Sequence, residues 1–424
     1  MKRIVLYMVI SICATSSVVA QEDSLATYIE AAIRNNPAVL SAYQAYQAKV
    51  TGACGAGTLN DPELSVGIFP KSMQHVNGKQ LATFSVMQMF PWFGTLKAGR
   101  QQMEFQAEAA YQKFRADGIA LAFDMQKQWY QMLSTQEQIK AIDSKIKLLK
   151  DIKKVAVYQY KTLSMGKNSR MSDQLRLDAE EARLQEQMAS LQDRLQLQRQ
   201  QFNLTMHRDA NSDLLLPDTI ALRAMPVVDW NSIESKDPTI AQLEAQGKAY
   251  DAQDQHARGM GKPMIGVGLE YMLNGKVDMP MMANMNGQDM LMPMVKISLP
   301  IYRKKINSER RSAQLLKQST QSGILRQRDV LRSEYLSIGQ RVEEVMRKLA
   351  LYDKEVRILD NTLQLMQREY VSATTTLTDI LSTTREQIDY ALKKAEARAQ
   401  YNTLVAEYEK MISGHDFAER MVVK

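Results

Sequence analysis

Residues 331–370 read LRSEYLSIGQRVEEVMRKLALYDKEVRILDNTLQLMQREY. Within them Leu331, Tyr335, Ile338, Val342, Val345, Leu349, Tyr352, Val356, Leu359, Leu363, Met366 and Tyr370 recur in strict alternation of four and three. An apolar residue every 3.5 positions keeps one seam turned toward a partner helix, so this stretch is a coiled-coil arm. Proline placement sets how far such arms extend. The prolines stand at 37, 62, 70, 91, 217, 226, 238, 263, 280, 293 and 300, leaving long proline-free tracts after Pro91 and after Pro300. A proline inside a helix costs about 3 kcal/mol or more, so both tracts read as long helices. Met125, Trp129, Met132, Ile139, Ile142, Ile146 and Leu149 give the matching seam in the first tract, continued by Leu184, Met188, Leu191, Leu195 and Phe202. Each tract breaks once, around 163–169 and around 372–376, where Gly166 ends a helix and Ser169 or Thr376 caps the next. Each tract is therefore expected to be a helical hairpin, with arms of roughly 100 Å at 1.5 Å per residue.

The proline-rich zones alternate with period two instead. Leu64, Val66 and Ile68 interleave with Glu63, Ser65 and Gly67; Ala82, Phe84 and Val86 interleave with Thr83 and Ser85. Ile265, Val267, Leu269 and Tyr271 alternate with glycines and Glu270, and Val295, Ile297 and Leu299 with Met294, Lys296 and Ser298. This spacing predicts four strands in two hairpins, over about 63–69, 80–90, 264–272 and 290–299.

The two zones belong to an internal repeat. Asn36-Pro37 matches Asp237-Pro238, and Pro62-x-x-x-x-Gly67 matches Pro263-x-x-x-x-Gly268, both at an offset of 201; Phe90-Pro91 matches Leu299-Pro300 at 209. A period near 200 is a duplication, not a solenoid. The expected organisation is a first repeat over 21–216 with a helical hairpin at 95–216, a linker over 217–229, and a second repeat over 230–424 with a hairpin at 303–412. Residues 1–20 are a secretory signal: Lys2 and Arg3, an apolar run from Ile4 to Ile12, and Val18-Val19-Ala20 before Gln21. Ile12 is too bulky for a lipobox at Cys13. Removal of the signal leaves Cys54 as the lone thiol, so no internal disulfide is possible.

Composition excludes several classes. Of 424 residues, 54 are basic and 47 acidic, with 45% apolar residues and two cysteines. That excess of charge is too slight to point to nucleic acid, and cysteine is too scarce for a disulfide scaffold or a cysteine-built zinc site. His75, His207, His256 and His415 lie in unrelated segments without metal spacing. Gly259-Met260-Gly261-Lys262 is followed by Pro263, where a phosphate loop needs Ser or Thr, and Gly266 and Gly268 lie within a strand. The chain is read as a non-enzyme without a cofactor. An exported chain with two-faced strands suits an outer-membrane barrel, yet four strands cannot close and open edges are forbidden in lipid. Copies must pool their strands into a hollow, rotationally symmetric oligomer.

The signal, the duplicated half, Asn35-Asn36-Pro37, Asp61-Pro62-Glu63-Leu64, Phe90-Pro91-Trp92-Phe93-Gly94 and the Tyr-x-x-small turns together resemble the TolC-type outer-membrane efflux family over residues 22–412. The resemblance implies a mostly α fold with a small β part. It implies a homotrimer, with a helical tunnel across the periplasm and a shared twelve-stranded transmembrane barrel in outer-membrane lipid. It also implies a periplasmic membrane-fusion adaptor docking at the hairpin turns (Gly166, Ser169, Thr375, Thr376) and an inner-membrane pump of the RND type. Asp173, Asp379 and Tyr370 fall on the family's periplasmic gate, while Thr375 stands where its gate Arg would be.

Eight methionines crowd one hairpin: Met272, Met279, Met281, Met282, Met285, Met290, Met292 and Met294. Thioethers favour Cu(I) and Ag(I), so the expected cargo of the duct includes these cations, as in the family's heavy-metal branch. The alternatives are flexible apolar filler in a general drug, bile-salt or type I secretion duct, and, in another class, a periplasmic coiled-coil adaptor.

Overall fold

The computed structural model describes residues 23–71, 74–75, 78–162, 171–227, 229–278, 286–371 and 374–412. The expected signal at 1–20, the turn residues Gly166 and Ser169, and the loop methionines Met279, Met281, Met282 and Met285 lie outside them. The element order runs twice. The first half holds α1 (Asp23–Asn35), α2 (Pro37–Ala56), β1 (Glu63–Ile68), the two-residue β2 (Gln74–His75), β3 (Gly78–Phe90), α3 (Thr95–Thr162) and α4 (Met171–Thr205). The second holds α5 (Trp230–Lys236), α6 (Pro238–Met260), β4 (Met264–Gly275), β5 (Met290–Ser298), α7 (Arg303–Val371) and α8 (Leu377–Ile412). Pro37 and Pro238 open α2 and α6, where a missing N–H costs nothing and the fixed φ suits a first turn.

The chain divides into two compact units, and each takes segments from both halves. One has helices as its only regular elements among the described residues and is built from residues up to 41, 115–237 and 329 onward. Its core is the predicted seams. Ile142, Ile146, Leu149 and Ile152 of α3 are buried with Leu177 and Leu184 of α4, Leu363 and Tyr370 of α7, and Leu377, Ile380, Leu381 and Ile388 of α8. A second cluster joins Val345 and Leu349 of α7 to Ala397, Tyr401, Leu404 and Val405 of α8. The seams thus pack helices of one half against helices of the other.

Helix α4 stops at Thr205, and the chain beyond it is fastened rather than loose. Buried Asn203 donates through Nδ2 to the carbonyls of Ala210 and Ser212, both at 2.8 Å, and its Oδ1 accepts from Arg208. Farther on, Arg223 makes a bidentate pair with Glu409 at 2.9 and 2.7 Å, its backbone N–H donates to Asn402 Oδ1 at 3.0 Å, and Ile220 is buried. This non-helical segment finds partners for backbone groups on both α3 and α8, through Gln136, Lys140 and Glu137 on one and Arg398 and Asn402 on the other.

The other unit comprises residues 42–114 and 238–328 and contains the sheet. Tyr43 and Tyr46 of α2 stack on Phe114 and Tyr111 of α3, with ring centroids 5.4 Å apart in each pair. In the second half, Arg310 of α7 donates to the buried Asp254 of α6 at 3.0 Å, and Lys317 pairs with Asp251 at 2.8 Å. The sheet is antiparallel in the order β1-β3-β4-β5, with β2 pairing β3. The two predicted hairpins are therefore joined edge to edge through β3 and β4. Strand β4 runs three residues past the predicted Tyr271-Met272 end, because Leu273, Asn274 and Gly275 continue to pair with β3 across an irregularity between Gln80 and Ala82. Asn and Gly read as turn formers in isolation; here the bulge absorbs them.

Candidate functional site

The sheet has two unlike faces. Across the four strands, one face carries Leu64 and Val66 of β1, Phe84 and Val86 of β3, Ile265, Val267, Leu269 and Tyr271 of β4, and Leu291, Val295 and Ile297 of β5, and all of these are exposed. The opposite face carries Ser65, Thr83, Ser85, Glu270, Lys296, Ser298 and methionines, and its β4 residues are more shielded than their outer neighbours. A water-soluble sheet hides its apolar side and wets its polar side. This one exposes its apolar side. No helix among the described residues is long and apolar enough to cross a membrane.

The order of pairing ends in β1 on one side and β5 on the other, so among the described residues each has an unpaired outer edge. Free edges of exposed apolar strands invite pairing with another chain. Beyond β3 and β5, Phe93 and Tyr302 stand at equivalent places in the two halves and are 91% and 83% exposed. Gly94, with φ of 83°, turns the chain from β3 into α3 in a conformation other residues avoid.

The predicted gate residues lie in the helical unit, in different local settings. Tyr370 is buried in the core cluster between α3, α4, α7 and α8. Burial raises its phenol pKa, and the negative charge of Asp173 adds to the effect, so these two groups feel one another. Asp173 lies in the first turn of α4, where the helix dipole favours a carboxylate. Asp379 is exposed and acts locally. Its backbone N–H donates to Thr376 Oγ1 at 3.3 Å and its carboxylate accepts from the same hydroxyl at 2.5 Å, so the pair caps α8. Thr375 donates to Glu369 at 2.6 Å instead of supplying the positive charge that an Arg would. A groove of about 410 Å³ opens beside Tyr370, lined by Leu148, Asp151, Val155, Gln364 and Arg368 among others.

Sequence reasoning missed a neighbouring charge cluster. Glu180 of α4 is 2% exposed and accepts from Arg183 on its own helix at 2.5 Å and from Arg385 of α8 at 2.6 Å. Burial pushes the Glu180 carboxyl upward, but hydrogen bonds from Arg385 and Arg183 outweigh it and hold the pKa below the ordinary glutamate range. The signal was present in the seam: Glu180 sits between Leu177 and Leu184, where the apolar period calls for a hydrophobe. Among the described residues no group of three or more His, Cys, Asp or Glu could hold a metal ion.

Solved structures of outer-membrane channel proteins share this fold. The outer membrane protein VceC of Vibrio cholerae shares it at a TM-score of 0.74 and 12% identity, over 92% of this chain and 96% of that one. CusC shares it at 0.75 and 15%, over 92% of each chain, and the Neisseria gonorrhoeae MtrE outer membrane channel at 0.69 and 15%, over 92% and 88%. No family model matches the sequence, and no curated protein matches it. The likeness is one of fold, and it extends to these three alike without singling out a branch.

Proposed function

We propose that this chain is a passive outer-membrane duct of a tripartite efflux system, working as a homotrimer. Three copies of a four-stranded sheet make a twelve-stranded barrel in which β1 of one protomer pairs with β5 of the next, a head-to-tail contact that closes by rotation. The observation that carries the reading is the inverted sheet: its exposed apolar face meets lipid, and its polar, methionine-bearing face lines the lumen. The strand lengths of β3 and β4, 13 and 12 residues, suit tilted crossing of a bilayer. Phe93 and Tyr302 then stand at the lipid–water boundary, where aromatic rings are favoured. The helices supply the periplasmic tunnel, and their turns, Thr375 and Thr376 with the undescribed Gly166 and Ser169, meet a periplasmic adaptor that links the duct to an inner-membrane pump. Asp173, Asp379 and Tyr370 act at the periplasmic constriction, and Asp379 also caps the start of α8. Energy comes from the pump; the duct performs no chemistry. Cu(I) and Ag(I) are included in the proposed cargo because methionine is the apolar residue used on the inner face.

The test is fractionation and conductance. The protein extracted from membranes should run as a heat-modifiable trimer from the outer-membrane fraction and open ion-conducting pores in planar bilayers. Recovery in the soluble or inner-membrane fraction, without pores, overturns the duct and favours a periplasmic adaptor. For cargo, a deletion strain is compared on copper, silver, bile salts and dyes; sensitivity to organic compounds alone removes the metals from the proposal.

A further inference from the structure

The methionines of the sheet are sorted by face without exception among the described residues. Over the paired stretches 63–68, 82–90, 264–273 and 290–298, every Leu, Val and Ile lies on the outer face. Every methionine lies on the inner one: Met87 and Met89 of β3, Met264 and Met272 of β4, and Met290, Met292 and Met294 of β5. Leucine and methionine are nearly interchangeable as apolar filler, so filling space does not explain the sorting. What methionine brings and leucine lacks is a sulfur.

Two of these methionines lie outside the methionine-rich hairpin, and the fold brings them back to it. Gly268 pairs with Met87 on one side and with Met294 on the other. Having no side chain of its own, it leaves a floor between them, and Gly266 extends that floor beside Met89. The sulfur of Met87 lies 2.9 Å from the place a Cβ on Gly268 would occupy, and over Gly266 the sulfurs of Met89 and Met87 lie 2.5 and 3.2 Å from the corresponding place. Two thioethers thus share one spot above the glycines. Met294 is the register partner of Gly268 on β5, one strand spacing of about 4.8 Å away on the same face. Glu270 on β4 and Glu63, the partner of Met87 on β1, place carboxylates on the same face, and Lys296 stands across from Gly266.

We propose that Met87 and Met89, over the Gly266–Gly268 floor, together with Met294 on the neighbouring strand form a binding site for a soft monovalent cation, Cu(I) or Ag(I). Neutral thioethers bind such ions without losing a proton and offer little to Zn(II) or Mg(II), which prefer nitrogen and oxygen donors. The nearby carboxylates compensate the positive charge. Binding involves no electron transfer: the ion enters and leaves in its monovalent state. The site deepens the duct reading, because its position on the inner face places it in the path of cargo.

The experiment is competition of Cu(I) between the purified full-length protein and a chromophoric Cu(I) chelator, repeated with Ag(I), in three versions of the protein. Wild type and a variant with Met279, Met281, Met282 and Met285 changed to Leu should bind alike. The variant M87L/M89L/M294L, which conserves side-chain volume, should lose at least tenfold in affinity while keeping its heat-modifiable migration. Sulfur-only scattering in X-ray absorption of the Cu(I) form completes the expected result. Absence of binding by wild type, or loss in the loop variant with retention in the triple variant, overturns the site. Outer-membrane fractionation and conductance of the same samples separate the two readings. A conducting outer-membrane protein that binds no Cu(I) refutes the site alone; a protein found elsewhere refutes the duct whatever it binds.

Discussion

Leu363 of α7 and Leu291 of β5 are the same residue in opposite circumstances: Leu363 is 2% exposed, Leu291 61%. In the helical unit, apolar residues at 3.5-residue spacing turn away from solvent and find partners from the other half of the chain. In the sheet, apolar residues at two-residue spacing turn outward, and the polar and sulfur-bearing ones turn in. The helices bury their stripe against one another; on the proposed duct reading the sheet exposes a face because hydrocarbon receives it. The comparison teaches that an apolar face becomes informative once its partner is asked for: the helical seams find theirs within the chain, and the apolar face of the sheet is exposed.

The largest expected effect comes from hollowing the buried seam. Leu184→Ala removes a fully buried side chain and should cost about 2–5 kcal/mol, read as a drop in denaturation midpoint; Leu291→Ala should cost far less in detergent. Equal losses would break the contrast. Next is a charge on the outer face: Val295→Arg should cost about 2–4 kcal/mol if that position lies near the bilayer midplane, read as reduced outer-membrane assembly. Thr83→Arg on the inner face should assemble normally and change conductance.

Within the helical unit the buried Glu180 sharpens the comparison with the apolar seam around it. Arg385→Ala should cost about 1.5–3 kcal/mol, as for a hydrogen bond to a charged group. Because the Glu180 pKa is depressed in the folded protein, its contribution is complete above the ordinary glutamate pKa and is lost as pH falls through the folded value. Wild type should therefore lose stability as pH falls below the ordinary glutamate pKa by more than Glu180→Gln does; parallel pH profiles would show that the carboxylate holds nothing. The smallest effect belongs to the cap: Thr376→Ala should cost about 1 kcal/mol, visible as earlier fraying of α8 in amide exchange.

Much of the fold was legible because its signals are local and periodic. The alternation of four and three in α7, the proline-free tracts and the strand parity each follow from one stretch of chain. The Glu180–Arg385 pair was not, since the residues are 205 positions apart and only the packing of α4 on α8 joins them. Met87 and Met89 were likewise invisible beside the dense methionines of 272–294, because cross-strand register, not proximity in sequence, puts Gly268 between Met87 and Met294. The Thr376-x-x-Asp379 spacing also spells the capping contact that Asp379 makes at the start of α8.

The most direct measurement is a nitroxide scan of β4 and β5 in membranes, with single cysteines in a Cys54→Ser background. Labels at Leu269, Leu291 and Val295 should collide readily with oxygen and poorly with a nickel chelate, as in lipid. Labels at Glu270, Met292 and Lys296 should show the opposite, as in a water-filled lumen. Accessibility to the chelate that is equal on both faces would contradict the account, because the sheet would then not divide lipid from water.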